Sequence, residues 1–340
     1  MKRYASFAAL LAILMPSLLL SGTELRAELK TAVQLTNPNA VDQDDMCIWI
    51  HPEERSQSTI ITSDKEANSL FVYSLAGKLL QTIPVAGPGN IDIRQNATIT
   101  HQQRSLVVVN ERAANRLAAF FVDPNTRKLS RCDRQDIRTG ENYGGCLHLS
   151  RDDQSIWFIS TSKQSGIEVI QLESSADDSM RGNRVRKWSL GKCEGAVSDD
   201  STGTVYVSVE REGIYAFNPL GETQPQLVVQ IGANGFQGDA EGIALFQPMD
   251  SQKSLIVSDQ GASQFRIYQP SRQFHLLGAV SNPDAKETDG IEIALGAFNK
   301  QFPNGIFACH SDIDAGKTIL LSDAGPILRL AISGQMKASQ

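Results

Sequence analysis

The stretch STIITSDKEANSLFVYSL, residues 58–75, is the first of five aligned copies of one pattern. The others are RSLVVVNERAANRLAAFFV (104–122), QSIWFISTSKQSGIEVIQL (154–172), GTVYVSVEREGIYAFNP (203–219) and KSLIVSDQGASQFRIYQP (253–270). Each reads as a β-branched strand, a short polar loop and a second alternating strand. NGIFACHSDIDAGKTILLSD, from Asn304, reads as a degraded sixth copy.

Ahead of each copy lies an acidic or polar turn and an apolar strand. These read DDMCIWI at Asp44, GNIDI at Gly89, YGGCLHL at Tyr143, CEGAV at Cys193, AEGIAL at Ala240 and TDGIEI at Thr288. Markers at Asp45, Asp92, Tyr143, Glu194, Glu241 and Asp289 are spaced by 47, 51, 51, 47 and 48 residues. Six units of that period, with about four short strands each, predict an all-β fold, a six-bladed β-propeller of antiparallel four-stranded blades. A β-sandwich is the alternative, but it leaves six near-equal units unexplained. No long stretch shows helical periodicity. A strand near Leu29–Leu35 is expected to complete the last blade and tie the ends of the ring together.

The chain has 340 residues, and its start looks like a targeting segment. Lys2 and Arg3 precede an apolar run from Ala5 to Leu20, short for a membrane span and fitting for a secretory leader. We expect residues 1–27 as a signal peptide cut after Ala27, and residues 28–340 as the propeller; an uncleaved anchor is the alternative. A secreted or periplasmic, monomeric protein follows, with no membrane contact after cleavage. Formal net charge is −6; residues 1–27 hold three basic groups and one acid, so the remainder holds −8. Such a chain is a poor nucleic-acid binder. The five cysteines form no C-x-x-C pair, and burial as small apolar residues suits them better than zinc or redox chemistry.

In an up-and-down blade, the start of the first strand and the end of the second lie on one face. The acidic turns carry Asp44, Asp45, Glu194, Asp239, Glu241 and Asp289; the second-strand loops carry Lys65, Arg112, Lys163 and Glu210. Both sets therefore meet at one rim of the central channel. Carboxylates crowded there repel one another unless they take up protons or cations. An all-oxygen donor set favours calcium or magnesium over zinc, and a wide ring suits calcium's flexible coordination. The other reading of a D-G or E-G pair is a plain turn. Lys65, Arg112 and Lys163 occupy the same loop in three consecutive units, and cations beside metals suit a phosphate dianion. Tyr143 offers a hydroxyl to phosphate or a ring to a blade interface.

The chain resembles the β-propeller phytases, also called alkaline phytases or 3-phytases. The likeness rests on DDMCIWIHP, IITSDK, GNIDIR with Arg94, VNER, NYGGCL, STSKQSGIEVIQL, CEGAVSDDSTGTVYVSVE, GDAEGIAL, VSDQGASQFRIY, and ETDGIEI followed by FPNGIF, in family order from about residue 30 to 310. It implies calcium held by Asp44, Asp45, Glu194, Glu210, Asp239, Glu241 and Asp289, with Glu194, Asp239 and Glu241 also serving catalysis. It implies substrate phosphates held by Lys65, Arg112, Tyr143 and Lys163. The implied reaction is hydrolysis of phytate (myo-inositol hexakisphosphate), entering as a calcium complex, to lower inositol phosphates and inorganic phosphate. A water activated at the cations attacks in line, with no covalent phosphoenzyme. Three departures stand out: Glu66 where the family often has lysine, Asp284 in a shortened stretch before ETDG, and Cys309-His310-Ser311-Asp312 where a Gln-Asp pair is common. The rival readings are a calcium-dependent propeller lactonase or esterase, and a non-catalytic binding propeller with structural calcium.

Overall fold

The computed structural model describes residues 24–134, 136–175, 177–233, 235–312 and 317–338. Six antiparallel blades surround a channel. Blade 1 runs outward through Gln43–Trp49, Thr59–Asp64, Ser69–Ser74 and Leu79–Pro84. The innermost strands of blades 2 to 6 are Pro88–Ile99, Gly145–Leu149, Cys193–Asp199, Ala240–Phe246 and Ile291–Leu295. Blade 6 is closed by Thr31–Leu35, antiparallel to Thr318–Asp323 with Leu35 opposite Ile319. The ring is thus latched by the N-terminal strand expected near residues 29–35.

The core consists of clusters between blades, not of one central mass. Cys47, Trp49, Ile61 and Val72 of blade 1 pack on Ile91, Val107 and Phe120 of blade 2. Cys146, Ile159 and Val169 of blade 3 meet Val205, Val207 and Phe217 of blade 4 in the same way. Strands apolar on both faces follow directly, since each blade is covered on both sides. The middle-strand runs IITSD and LVVVN are buried throughout. Cys47, Cys146, Cys193 and Cys309 are buried free thiols and Cys132 is a half-buried one, in keeping with their reading as small core residues.

Two features lie outside the repeat pattern. Arg26–Glu28 adds a fifth, parallel strand to blade 5 beside His275–Ser281. Leu25 O accepts from Ala279 N at 2.9 Å, and Glu24 pairs with the buried Arg266. The expected cut after Ala27 falls within this strand, and residues 1–23 of the expected signal peptide lie outside the described residues. The second feature is a helix, Gly325–Ala338, which the sequence reading did not anticipate. Its Ile327, Leu330 and Ala331 bury against Leu277 and Val280 of blade 5. Gly334 permits this approach, because a Cβ there would sit 2.8 Å from the Leu277 side chain. Among the described residues no helix is long and apolar enough to cross a membrane.

In five of the six turns a glycine has a packing reason. A Cβ on Gly144 would lie 2.3 Å from the Glu194 carbonyl oxygen of the next blade, and one on Gly242 2.2 Å from that of Asp289. Gly89, Gly195 and Gly290 meet the next turn likewise. Backbone bonds reinforce the contact: Gly242 N donates to Asp289 O at 2.8 Å, and Gly290 N to Asp44 O at 3.2 Å. The turns therefore interlock around the rim.

Candidate active site

The pairing registers bring first-strand starts and second-strand ends to one face. Gln43 lies opposite Asp64, Pro88 opposite Glu111, Gly145 opposite Ser160 and Cys193 opposite Val209. Lys65, Arg112, Lys163 and Glu210 thus emerge on the rim that carries the acidic turns.

In blades 4 and 5, oxygens of Glu194, Glu210 and Glu241 lie within 4.8 Å of one another. Glu194 and Glu241 are buried. Lys163 Nζ stands 2.6 Å from Glu194 Oε1 and 3.5 Å from Glu210 Oε1, and Lys192 reaches Glu210 Oε2 at 3.3 Å. Burial, then the charge of Glu241, pushes the Glu194 carboxyl up to about 10 despite Lys163. Burial and Asp289 push Glu241 up to about 8. Burial also acts on Glu210, but its hydrogen bond to Glu194 and the charges of Lys163 and Lys192 outweigh it, and Glu210 stays below its ordinary value. Two buried carboxylates this basic, beside a third that stays ionised, form a strong attractor for positive charge.

In blades 6 and 1 the acids are braced differently. Lys65 Nζ lies 2.8 Å from Asp44 Oδ1 and 3.4 Å from Asp42 Oδ2, and Lys317 reaches Asp42 Oδ1 at 3.3 Å. Gln260 Nε2 donates to Asp289 Oδ1 at 2.6 Å. Burial would raise Asp44, but Lys65 overrides it and holds the carboxyl below its usual range. Asp289 is pushed up to about 7 by burial and by Asp44. Asp239 stands half-buried at the lip, its carbonyl accepting from Gln260 N at 3.1 Å.

Asp45 points elsewhere. Its carboxylate accepts from Ile91 N at 3.0 Å, and with Asp92 and Glu292 it lines the channel below the rim. Burial pushes Asp45 well above its ordinary value, and burial with Asp92 pushes Glu292 up to about 8. Asp92, used as a spacing marker, and Glu292 were not read as site residues. Neither were Asp42, Gln260 or His310. The acid two places past the glycine of TDGIEI was the available signal for Glu292, since side chains two apart share one strand face.

Between the two arcs lies Tyr143. Lys163 Nζ is 3.9 Å and the Arg112 guanidinium 4.5 Å from its ring centroid. Cation–π contact of this kind places both charges without neutralising them. Burial raises the Tyr143 hydroxyl, so it stays protonated and able to donate. Lys65, Glu66, Arg112, Glu141, Asn142 and Tyr143 line an adjoining cavity of about 430 Å³. The four cation and hydroxyl candidates are thus assembled together, with Glu66 exposed among them.

A family model described as Phytase matches residues 8–321. The chain belongs to the Phytase family. It is 26% identical over 293 residues to the 3-phytase of Bacillus subtilis (strain 168), across 81% of this chain and 76% of that one. Among solved structures it is similar to a calcium-binding protein, regucalcin, from Agrobacterium tumefaciens str. C58, with a TM-score of 0.54 at 11% identity, covering 87% of this chain and 95% of that one. It is also similar to an auxiliary nutrient binding protein from Bacteroides thetaiotaomicron VPI-5482, with a TM-score of 0.53 at 10% identity, covering 83% and 69%. These two likenesses concern the fold alone.

Proposed function

We propose that this phytase-family chain is a calcium-dependent, 3-phytase-type phosphomonoesterase that releases inorganic phosphate from phytate. The observation that carries this is the juxtaposition of two charge systems: a three-carboxylate pocket at Glu194, Glu210 and Glu241, and the cations of Lys65, Arg112 and Lys163 around Tyr143. The pocket offers only oxygen donors, which fits a hard divalent cation such as calcium. Glu194, Glu210 and Glu241 would hold calcium on one arc, and Asp44, Asp239 and Asp289 on the other, with Asp45 beneath them. Bound calcium supplies neutralisation of the phosphate charge and a more acidic water.

The protein's own groups do the rest. Lys163, 2.6 Å from Glu194, is within reach of a phosphate seated over the carboxylate pocket and offsets charge building on its oxygens. The protonated Tyr143 hydroxyl donates to the same phosphate. Arg112 and Lys65, at the adjoining cavity, hold a neighbouring phosphate of the substrate. Binding energy from that second phosphate orients the reacting one. Glu194, Asp239 and Glu241 fix the side from which water enters. A chain of net charge −6 repels free phytate, so the calcium complex is the form expected to bind. A lactonase or esterase needs no such set of phosphate-binding cations.

Phosphate release from phytate, phosphate release from an aryl phosphate, and lactone opening, each with calcium and with chelator, test this reading. Calcium-dependent release that favours phytate is expected. Lactone opening without phosphate release, or no turnover with calcium bound, would overturn it.

A further inference from the structure

His310 lies fully buried in the second strand of blade 6, and its ring turns toward the acidic turn. The backbone N–H of Asp289 donates to its Nδ1 at 3.1 Å. A ring nitrogen that accepts carries no proton, so the neutral imidazole has its hydrogen on Nε2. Nε2 is buried with no hydrogen-bond partner among the described residues. A buried donor left unpaired weakens a fold, so packing alone does not account for this ring.

Backbone bonds and ring contacts converge on one place. His310 N donates to Gly290 O at 2.9 Å, and Gly290 N donates to Asp44 O at 3.2 Å. The Asp289 carboxylate comes within 3.6 Å of Nδ1. The Asp289-Gly290 turn is therefore held from behind by His310 and from the side by blade 1. Gly290 leaves no slack, since a Cβ there would fall 2.3 Å from Asp45 Oδ1.

We propose that His310 is a positioning residue: it pins the Asp289 turn so that Asp289 and Asp44, from blades 6 and 1, face each other at the separation that holds one cation. This rests on the calcium reading above. The histidine touches neither substrate nor reacting atoms. It acts through Asp289, and the acceptor at Nδ1 is the feature that matters. Asparagine can present an acceptor near that point; alanine cannot.

The test is calcium binding by calorimetry and thermal melting in chelator, for the wild-type chain, H310A and H310N. H310A is expected to weaken one class of calcium sites at least tenfold and to leave the sites at Glu194, Glu210 and Glu241 unchanged. H310N is expected to bind within about threefold of wild type, although its chelator melting point falls as far as that of H310A. Calcium binding by H310A equal to wild type, uniform weakening of every site, or failure of H310N to restore binding would each overturn the assignment. Should H310A not fold, H310L, which fills the space without an acceptor, takes its place: loss of that class of sites in H310L but not in H310N supports the proposal, and wild-type calcium binding by H310L contradicts it. Calcium binding that follows these patterns in a chain without hydrolytic activity would defeat the phytase reading and spare this one.

Discussion

The glutamate arc of blades 4 and 5 and the aspartate arc of blades 6 and 1 are built from the same turn, yet their lysines meet different carboxylates. At the glutamate arc Lys163 and Lys192 serve three clustered carboxylates, and Glu194 and Glu241 rise to about 10 and about 8. At the aspartate arc Lys65 lies against Asp44 and Asp42 and Lys317 against Asp42, and Asp44 falls below its ordinary value. The backbone frame is common to both, because each glycine packs on the carbonyl of the next turn. What differs is where the ammonium groups sit: Lys65 and Lys317 close on Asp42 and Asp44, whereas Lys163 and Lys192 close on Glu194 and Glu210 and leave Glu241 without an ion pair among the described residues. Glu194 and Glu241 therefore hold protons at neutral pH, and a divalent cation bound there would take the place of those protons.

Several substitutions and conditions separate the arcs. The largest effect is expected at Glu194. Glu194→Ala should lower kcat by about 10²–10³, the range for removing one stabiliser of transition-state charge, here the calcium that Glu194 would hold, while Glu66→Ala changes kcat less than about threefold. Equal losses in steady-state assays would erase the distinction between rim and periphery. Chelation comes next. Calcium at 100 times its dissociation constant adds about 2.7 kcal/mol to a fold that binds it at one site. Melting in chelator should therefore occur several degrees lower, with recovery when calcium is returned.

The pH response follows from the same protons. Glu194, Glu241 and Asp289 hold protons to higher pH in the folded chain than in the unfolded one. Their contribution to stability is fully present below the ordinary carboxylate range. It is lost as pH rises through about 7 for Asp289, about 8 for Glu241 and about 10 for Glu194. In chelator the melting temperature should fall across that window. Saturating calcium should flatten the fall, and Glu194→Gln should flatten it more than Asp44→Asn. Differential scanning calorimetry at stepped pH reads all three.

The smallest effects concern substrate grip. Arg112→Ala should lower kcat/KM for phytate more than for an aryl phosphate, by roughly tenfold against threefold, as expected when a charged hydrogen bond worth about 1.5–3 kcal/mol to the neighbouring phosphate is lost. Glu66→Lys should lower the phytate KM a few fold by adding a cation to the cavity beside Arg112, and kcat should stay level. A higher KM for Glu66→Lys would remove Glu66 from that cavity.

Much of this architecture was legible in the residues. The five quoted copies all became second and third strands, and Asn304–Asp323 the same pair in blade 6, because strands covered on both faces must read as apolar runs. The spacing of the acidic turns located the rim. The glycines in those turns were open to a plain turn reading, and only the packed ring shows that they admit the next blade's carbonyl. Asp45 could not be placed from spacing. Adjacent residues on a strand face opposite ways, so Asp44 and Asp45 cannot both point to the rim. The helix Gly325–Ala338 leaves a weak signal in the sequence because its apolar face is interrupted by Gly334, a helix-weakening residue that serves contact with Leu277. In the sequence His310 stands out only as a departure from a family pattern. Its value lies in a backbone contact across blade 6, which no spacing rule reports.

The central claim is that the carboxylate pocket and the cations around Tyr143 act as one calcium-loaded phosphate site. Phosphate release from phytate, followed as calcium is titrated into chelator-treated protein alongside Glu194→Gln, tests it most directly. The account predicts no release without calcium, a saturable rise in the wild-type chain, and a curve for Glu194→Gln displaced to at least tenfold higher calcium with a lower plateau. Full release in chelator, or superimposable curves for the two proteins, would contradict it.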